Sequence, residues 1–176
     1  MMRFTILSLA TQVFAAVAPL RGALAQHTAT SGRTAVVDSC LPPSEFQLRG
    51  VQLTSLSSVA VEALGQPLRV TADSGEDDGG RYEVKTFHYR DVDFDDVRGF
   101  VDRLATHSPR VATPSGLRPG LSFEAVGEIL RHQGVRLRQP ADTIDITSCE
   151  PPDASILLAL DPTHHVRTLL MGAARP

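Results

Sequence analysis

The sequence predicts an α+β protein: two tandem helix-plus-antiparallel-sheet repeats in a two-layer arrangement. Three observations carry that expectation. Two amphipathic stretches, residues 55–65 and 122–134, each open on a capping residue and close on a glycine. Each is followed by strand-like runs that end in a tight hairpin. Laid together at an offset of 66, the halves place Gly50 on Gly116, Val51 on Leu117, Ala60 on Val126, Glu62 on Glu128 and Leu64 on Leu130. At an offset of 65 the hairpins match, Val101 on Val166 and Leu104 on Leu169. A helix and a sheet that are each apolar on one side bury those sides against each other as two layers.

The chain of 176 residues divides accordingly. Residues 1–25 read as a signal peptide, 26–45 as a flexible leader and N-terminal strand, 46–110 as repeat 1 and 111–176 as repeat 2. Arg3 precedes an uncharged run, residues 4–20, and Ala23 and Ala25 then supply the small residues of a cleavage site. The run is shorter than the roughly 20 residues a bilayer span needs, and it contains Thr5, Ser8, Thr11, Gln12 and Pro19. Cleavage after Ala25 leaves a chain that starts at Gln26, with no cysteine nearby to carry a lipid. The expectation is a soluble periplasmic or secreted protein without a stable membrane anchor after cleavage.

Structure is expected to begin near Ala35. In the first helix Leu56, Val59, Ala60, Ala63 and Leu64 recur at helical spacing, with Thr54 or Ser55 as N-cap and Gly65 as C-cap. Residues 68–72 and 82–89 read as strands on either side of an acidic, glycine-rich loop, 73–80. A hairpin turns at Arg98-Gly99, where glycine tolerates positive φ. The second helix is capped by Ser122 and stopped at Gly134, with Phe123, Val126, Ile129 and Leu130 facing inward. A closing hairpin joins residues 155–160 to 166–171 through a turn at 161–165.

Two cysteines, Cys40 and Cys149, end alternating strand-like stretches (35–39 and 143–148) that would pair as neighbours, and each is followed after one residue by Pro-Pro. An even count in an exported chain points to a disulfide between them. There is no Cys-x-x-Cys to suggest redox exchange.

The segment Thr113-Pro-Ser-Gly-Leu-Arg-Pro-Gly-Leu-Ser-Phe-Glu-Ala-Val126, followed by Ile129-Leu130, resembles the helix entry of the BamE (SmpA/OmlA) lipoproteins and the related β-lactamase-inhibitor-like proteins. Leu48-Arg-Gly-Val-Gln-Leu53 with Ala63-Leu64-Gly65 repeats it more faintly. The resemblance spans most of residues 46–172 and implies a small envelope or secreted module that binds other proteins. It carries no functional residue over to this chain.

Net charge is −3 and the basic residues are scattered, which argues against a nucleic-acid partner. Asp91, Asp93, Asp95 and Asp102 occupy positions 1, 3, 5 and 12 of a calcium-loop frame, but Asp96 stands where that loop needs glycine. The simpler reading is a strand with Asp91, Asp93 and Asp95 toward water and Val92 and Phe94 toward the core. His164 and His165 share a turn without a third ligand at metal spacing, and His88 reads as a sheet-surface residue. Lys85 lies outside any phosphate-loop context, and no hydrolase motif is present. No catalytic, cofactor or metal residue is therefore assigned. The function expected is a non-enzymatic, protein-binding module of the envelope-assembly or inhibitor class; the alternative is a small periplasmic hydrolase with a dispersed Ser/His/Asp site, in which His107-Ser108 would be the adjacent pair.

Overall fold

The structure is a computed structural model that describes residues 34–35, 37, 39–77, 79–137, 141–150 and 154–173. The signal-peptide segment and most of the flexible leader lie outside the described residues.

A short arm, β1 (Thr34–Ala35), leads through Cys40 into a single 3-10 turn at Pro43–Glu45. After Phe46, six residues form a miniature hairpin, β2 (Gln47–Leu48) and β3 (Val51–Gln52), turned by Arg49 and Gly50 at φ 51° and 79°. Helix α1 (Ser57–Leu64) follows, then β4 (Arg69–Asp77), β5 (Gly80–His88), β6 (Asp93–Val97) and β7 (Phe100–Thr106). Helix α2 (Phe123–His132) precedes β8 (Thr143–Thr147), β9 (Ala154–Leu160) and β10 (Val166–Ala173). Among the described residues, eight strands form one mixed sheet in the order β1-β8-β9-β10-β7-β6-β5-β4. Only β1 against β8 is parallel.

This corrects the α+β expectation. The protein is mostly β, and the strands of its two halves are not separate sheets under separate helices. They merge at a seam where β7 pairs with β10, Leu104 opposite Met171 and Thr106 opposite Leu169. The reason is physical: an apolar strand such as β10 has two pairing edges, and joining the last strands of both halves satisfies backbone groups that two smaller sheets would leave at their margins. Local backbone geometry nevertheless recurs between the halves. Thr54 N donates to Val101 O (2.7 Å), Val101 N to Ser55 O (2.8 Å) and Ser57 N to Gly99 O (2.9 Å); Gly120 N donates to Val166 O (2.7 Å), Val166 N to Leu121 O (2.8 Å) and Phe123 N to His164 O (2.9 Å). Both hairpins carry a one-residue bulge, the ladder passing over Asp102 in one and Arg167 in the other.

Strand alternation separates the two faces. Phe94, Leu104, Met171, Ile156 and Ile146 stand opposite one another across five strands, and all are buried. Val126 and Leu130 of α2 and Ala60 of α1 join the same core, so both helices cover that side. Helix α2 forms as its sequence indicates, Ser122 Oγ accepting from Ala125 N at 3.3 Å. Helix α1 is rotated from expectation: Leu56 and Val59 are half-exposed while Ser57 and Ala60 are buried. Its apolar residues Val59, Ala60, Val61, Ala63 and Leu64 spread over a wide arc, so periodicity does not fix which edge of that arc faces the core. The acidic segment expected as a loop is also different. Residues 73–77 and 80–83 continue the strands, so β4 and β5 pair without interruption from Arg69 opposite His88 to Asp77 opposite Gly80. Only Val84–His88 of β5 meet β6, leaving the outer half of this hairpin as a two-stranded arm.

Candidate functional site

The helices leave the other face of the sheet open, and register fixes what lies on it. One row runs across seven strands: Arg69, His88, Asp93, Ala105, Leu170, Leu157 and Asp145. A parallel row holds Thr71, Thr86, Asp95, Arg103, Gly172, Ser155 and Thr147. From β5 to β9 these residues are partly exposed, in contrast to the buried opposite face. The centre is apolar, Ala105, Leu170 and Leu157, and the ends are charged.

The polar end is tightly organised. Arg103 donates Nε to Asp95 Oδ2 at 2.6 Å and an η nitrogen to Oδ1 at 3.1 Å, a two-pronged charge-assisted pair. Thr86 Oγ1 donates to the same Oδ1 at 2.7 Å. These bonds and the neighbouring carboxylates of Asp93 and Asp102 raise the Arg103 pKa further above its ordinary value, so the guanidinium stays charged. Beside it, His88 Nδ1 lies 3.3 Å from Asp93 Oδ1, and its Nε2 lies 3.2 Å from Thr71 Oγ1 and 3.4 Å from an η nitrogen of Arg69.

Asp102, at the bulge, is half-buried. Burial pushes its carboxyl above the usual carboxylate range, the Asp95 charge adds to this, and Arg103 opposes it. A raised folded-state pKa means that the folded protein holds this proton more tightly than the unfolded chain, so the contribution is favourable below pH about 4 and is lost as pH rises through the folded value. Asp102→Asn is therefore expected to stabilise the protein at pH 7 relative to wild type, with the advantage shrinking toward pH 3. Thermal melts of both proteins across that range check it; an advantage that grew on acidification would contradict the sign.

The aspartates of the calcium frame separate onto different partners. Asp91 lies 3.8 Å from Arg49, Asp93 faces His88, Asp95 is held by Arg103, and Asp96 Oδ1 accepts from Gly99 N at 2.8 Å. Val92 and Phe94 are buried between them. His164 and His165 are built into the β9–β10 turn, where His165 N donates to Asp161 Oδ1 at 3.0 Å. Lys85 pairs with Glu83 at 3.0 Å. Among the described residues, no group of three or more His, Cys, Asp or Glu stands together as a metal site.

His107 and Ser108 both line a cavity of about 100 Å³ with Tyr89, Asp91 and Thr106. They are not bonded as a pair there: His107 Nδ1 lies 3.1 Å from Thr168 Oγ1, and Ser108 Oγ accepts from Arg110 N at 3.3 Å. A neighbouring cavity of about 290 Å³ is walled by Arg49, Leu64, Gln66, Leu68 and the Tyr89–Val92 turn.

The cysteines meet as expected. Cys40 and Cys149 form a disulfide with Cα atoms 4.8 Å apart, at the end of a β1–β8 contact extended by Leu41 N donating to Thr147 O and Cys149 N to Leu41 O, both at 2.9 Å. Such a bridge belongs to an oxidising compartment and marks an exported protein. Among the described residues, no helix is long and apolar enough to cross a membrane.

Sequence reasoning missed the open face, because Leu157 and Leu170 look like core residues until register is known. One signal pointed to it: residues 156–160 are apolar without interruption, whereas a strand buried on one side alternates.

No protein-family profile matches the chain, and no curated protein matches it either. Among solved structures, the chain is similar to an extracellular protein containing an SCP domain from Bacillus anthracis, with a TM-score of 0.42 and 14% identity over 69% of this chain and 44% of that one. The match thus takes in less than half the length of that protein.

Proposed function

We propose that this is a non-enzymatic binding module of the periplasm or the extracellular medium, which takes hold of a protein partner across the open face of its sheet. The observation that carries the reading is the row from Arg69 to Asp145, apolar over Ala105, Leu170 and Leu157 and charged at both ends. A dry apolar centre inside a polar rim is the usual anatomy of a protein interface. Seven strands about 4.8 Å apart, six spacings, give the row a width of about 29 Å. A standard interface of about 800 Å² per partner is roughly 28 Å across, so the face is wide enough for a folded protein. The likeness of residues 113–126 to the helix entry of the BamE and β-lactamase-inhibitor-like proteins implies the same class of function, and the recurring helix-entry hydrogen bonds support an origin of the two halves by duplication within the shared sheet.

The double change Leu157→Arg/Leu170→Arg tests the reading. Both side chains are partly exposed, so the fold should survive while the apolar centre is lost. Binding to a partner isolated with the wild-type protein is expected to weaken at least about 30-fold, the effect of losing one central anchor worth about 2 kcal/mol. Unchanged affinity in a variant that still melts cooperatively would sink the reading. So would turnover of an ester, peptide or glycoside substrate that disappears in His107→Ala or Ser108→Ala.

A further inference from the structure

We propose that two copies of the chain associate through their β4 edges, antiparallel about Thr71, so that one sheet runs through the pair. Among the described residues, strand β4 ends the sheet and has β5 as its only strand neighbour. It is nine residues long, its ladder with β5 shows no bulge, and Arg69 to Ser74 are all exposed. Long edges are normally blunted by proline, lysine or a bulge, because their free N–H and C=O groups recruit other strands. Arg69–Asp77 contains no proline, lysine or bulge; the charges it does carry, Arg69, Asp73, Glu76 and Asp77, include both signs, and Asp73 Oδ1 accepts from Ser74 N at 2.7 Å.

The sequence of the strand selects the occupant. Read against a reversed copy of itself about Thr71, Arg69 stands opposite Asp73, Val70 opposite Ala72, and Thr71 opposite Thr71. Each pair then lies on one face, as a two-fold axis perpendicular to the sheet requires. The symmetry makes two Arg–Asp pairs and two small apolar pairs from one five-residue segment, and cross-strand pairs of both kinds stabilise sheets. The alternative registers are poorer. Centred on Asp73, the strand sets Asp73 against Asp73 and Val70 against Glu76; centred on Ala72, it sets Leu68 against Glu76.

Two further features fit this register. Leu68 and Val70, 74% and 46% exposed, are covered by Ser74 and Ala72 of the other copy. Beyond the paired residues, Glu76 runs toward the segment of the other copy that precedes its β4, where Gln66 and Leu68 wall the 290 Å³ cavity that Arg49 and Arg90 also line. The acidic outer arm thus runs toward basic side chains. The contact is small, so the pair should exchange with monomer as concentration changes.

Sedimentation equilibrium of the full exported chain over a range of concentrations tests the proposal. A monomer–dimer equilibrium is expected. Reversing one charge, by Arg69→Asp or Asp73→Arg, should weaken it by at least about tenfold, because two pairs are lost and two repulsions gained. The double variant Arg69→Asp/Asp73→Arg restores complementarity and should return the constant to within about threefold of wild type. Rescue in the double variant separates pairing from folding damage. A chain that stays monomeric at all concentrations, a dimer indifferent to the single reversals, or a double variant no better than the singles overturns the proposal; the first outcome would leave the edge to strands of other proteins.

Discussion

Removing the Cys40–Cys149 bridge, by the double change Cys40→Ala/Cys149→Ala, is expected to lower stability by about 4.8 kcal/mol, the chain-entropy value for a closed loop of about 110 residues. The bridge spans 109 positions and encloses α1, α2 and the strands from β2 to β8. Few other bonds hold the arm. Strand β1 is two residues long, and Leu41, fully buried, has its own amide bonded to Thr147. Without the disulfide, the entropy of fixing this arm must be met by these contacts together with the burial of Ala35, the Val37–Leu137 bridge and the bond from Ser39 Oγ to Gly134 O. Urea unfolding of the two proteins measures the effect, and at a slope near 2 kcal/mol per molar the midpoint should fall by about 2.4 M. A fall of less than about 0.5 M would mean that the arm is held by packing and the bridge is incidental.

Phe94→Ala is expected to cost about 4 kcal/mol, the middle of the range for large-to-small changes at buried aromatic sites. Phe94 is 1% exposed and sits on β6, one strand from the seam, opposite Leu104 of β7. Its ring stacks on Phe87 with centroids 4.7 Å apart and stands 6.1 Å from Tyr89. Deletion leaves a cavity lined by both rings, and the rigid strands on either side limit collapse into it. For a chain of this size the melting temperature should drop by about 12 °C in calorimetry. Phe100→Ala is the matched control: Phe100 is half-exposed at the hairpin tip, and its change should stay within about 0.5 kcal/mol. Equal losses at both positions would show that the buried face is not where the sheet draws its stability.

Local signals were legible and long-range ones were not. Gly99 at φ 88° turns β6 into β7 as a glycine in that position implies, and Ser122 and the glycine at 134 bound α2 as read. The disulfide followed from parity and compartment. By contrast, Gly75, Gly79 and Gly80 made residues 73–80 look like a loop, yet only Gly79 lies in the turn: Gly75 opposite Tyr82 and Gly80 opposite Asp77 are held in a ladder that overrides low strand propensity. The joining of β7 to β10 left no mark in either strand, because pairing between distant segments depends on which edges remain free after the local hairpins form. The same gap hid the candidate site. The pair His88 and Asp93 lies far in sequence from the pair Leu157 and Leu170, and only the register of four successive strand pairs puts all of them in one row.

The most direct measurement is photo-crosslinking from the open face. A photoreactive residue placed at position 157 or 170 should trap the partner, whereas the same residue at Val59, exposed on helix α1 on the far side of the sheet, should not. Crosslinks confined to 157 and 170, and lost when the neighbouring leucine is changed to Arg, are the expected result. Equal trapping from position 59, or trapping from 59 alone, would place recognition on the helical side and contradict the assignment of the sheet face.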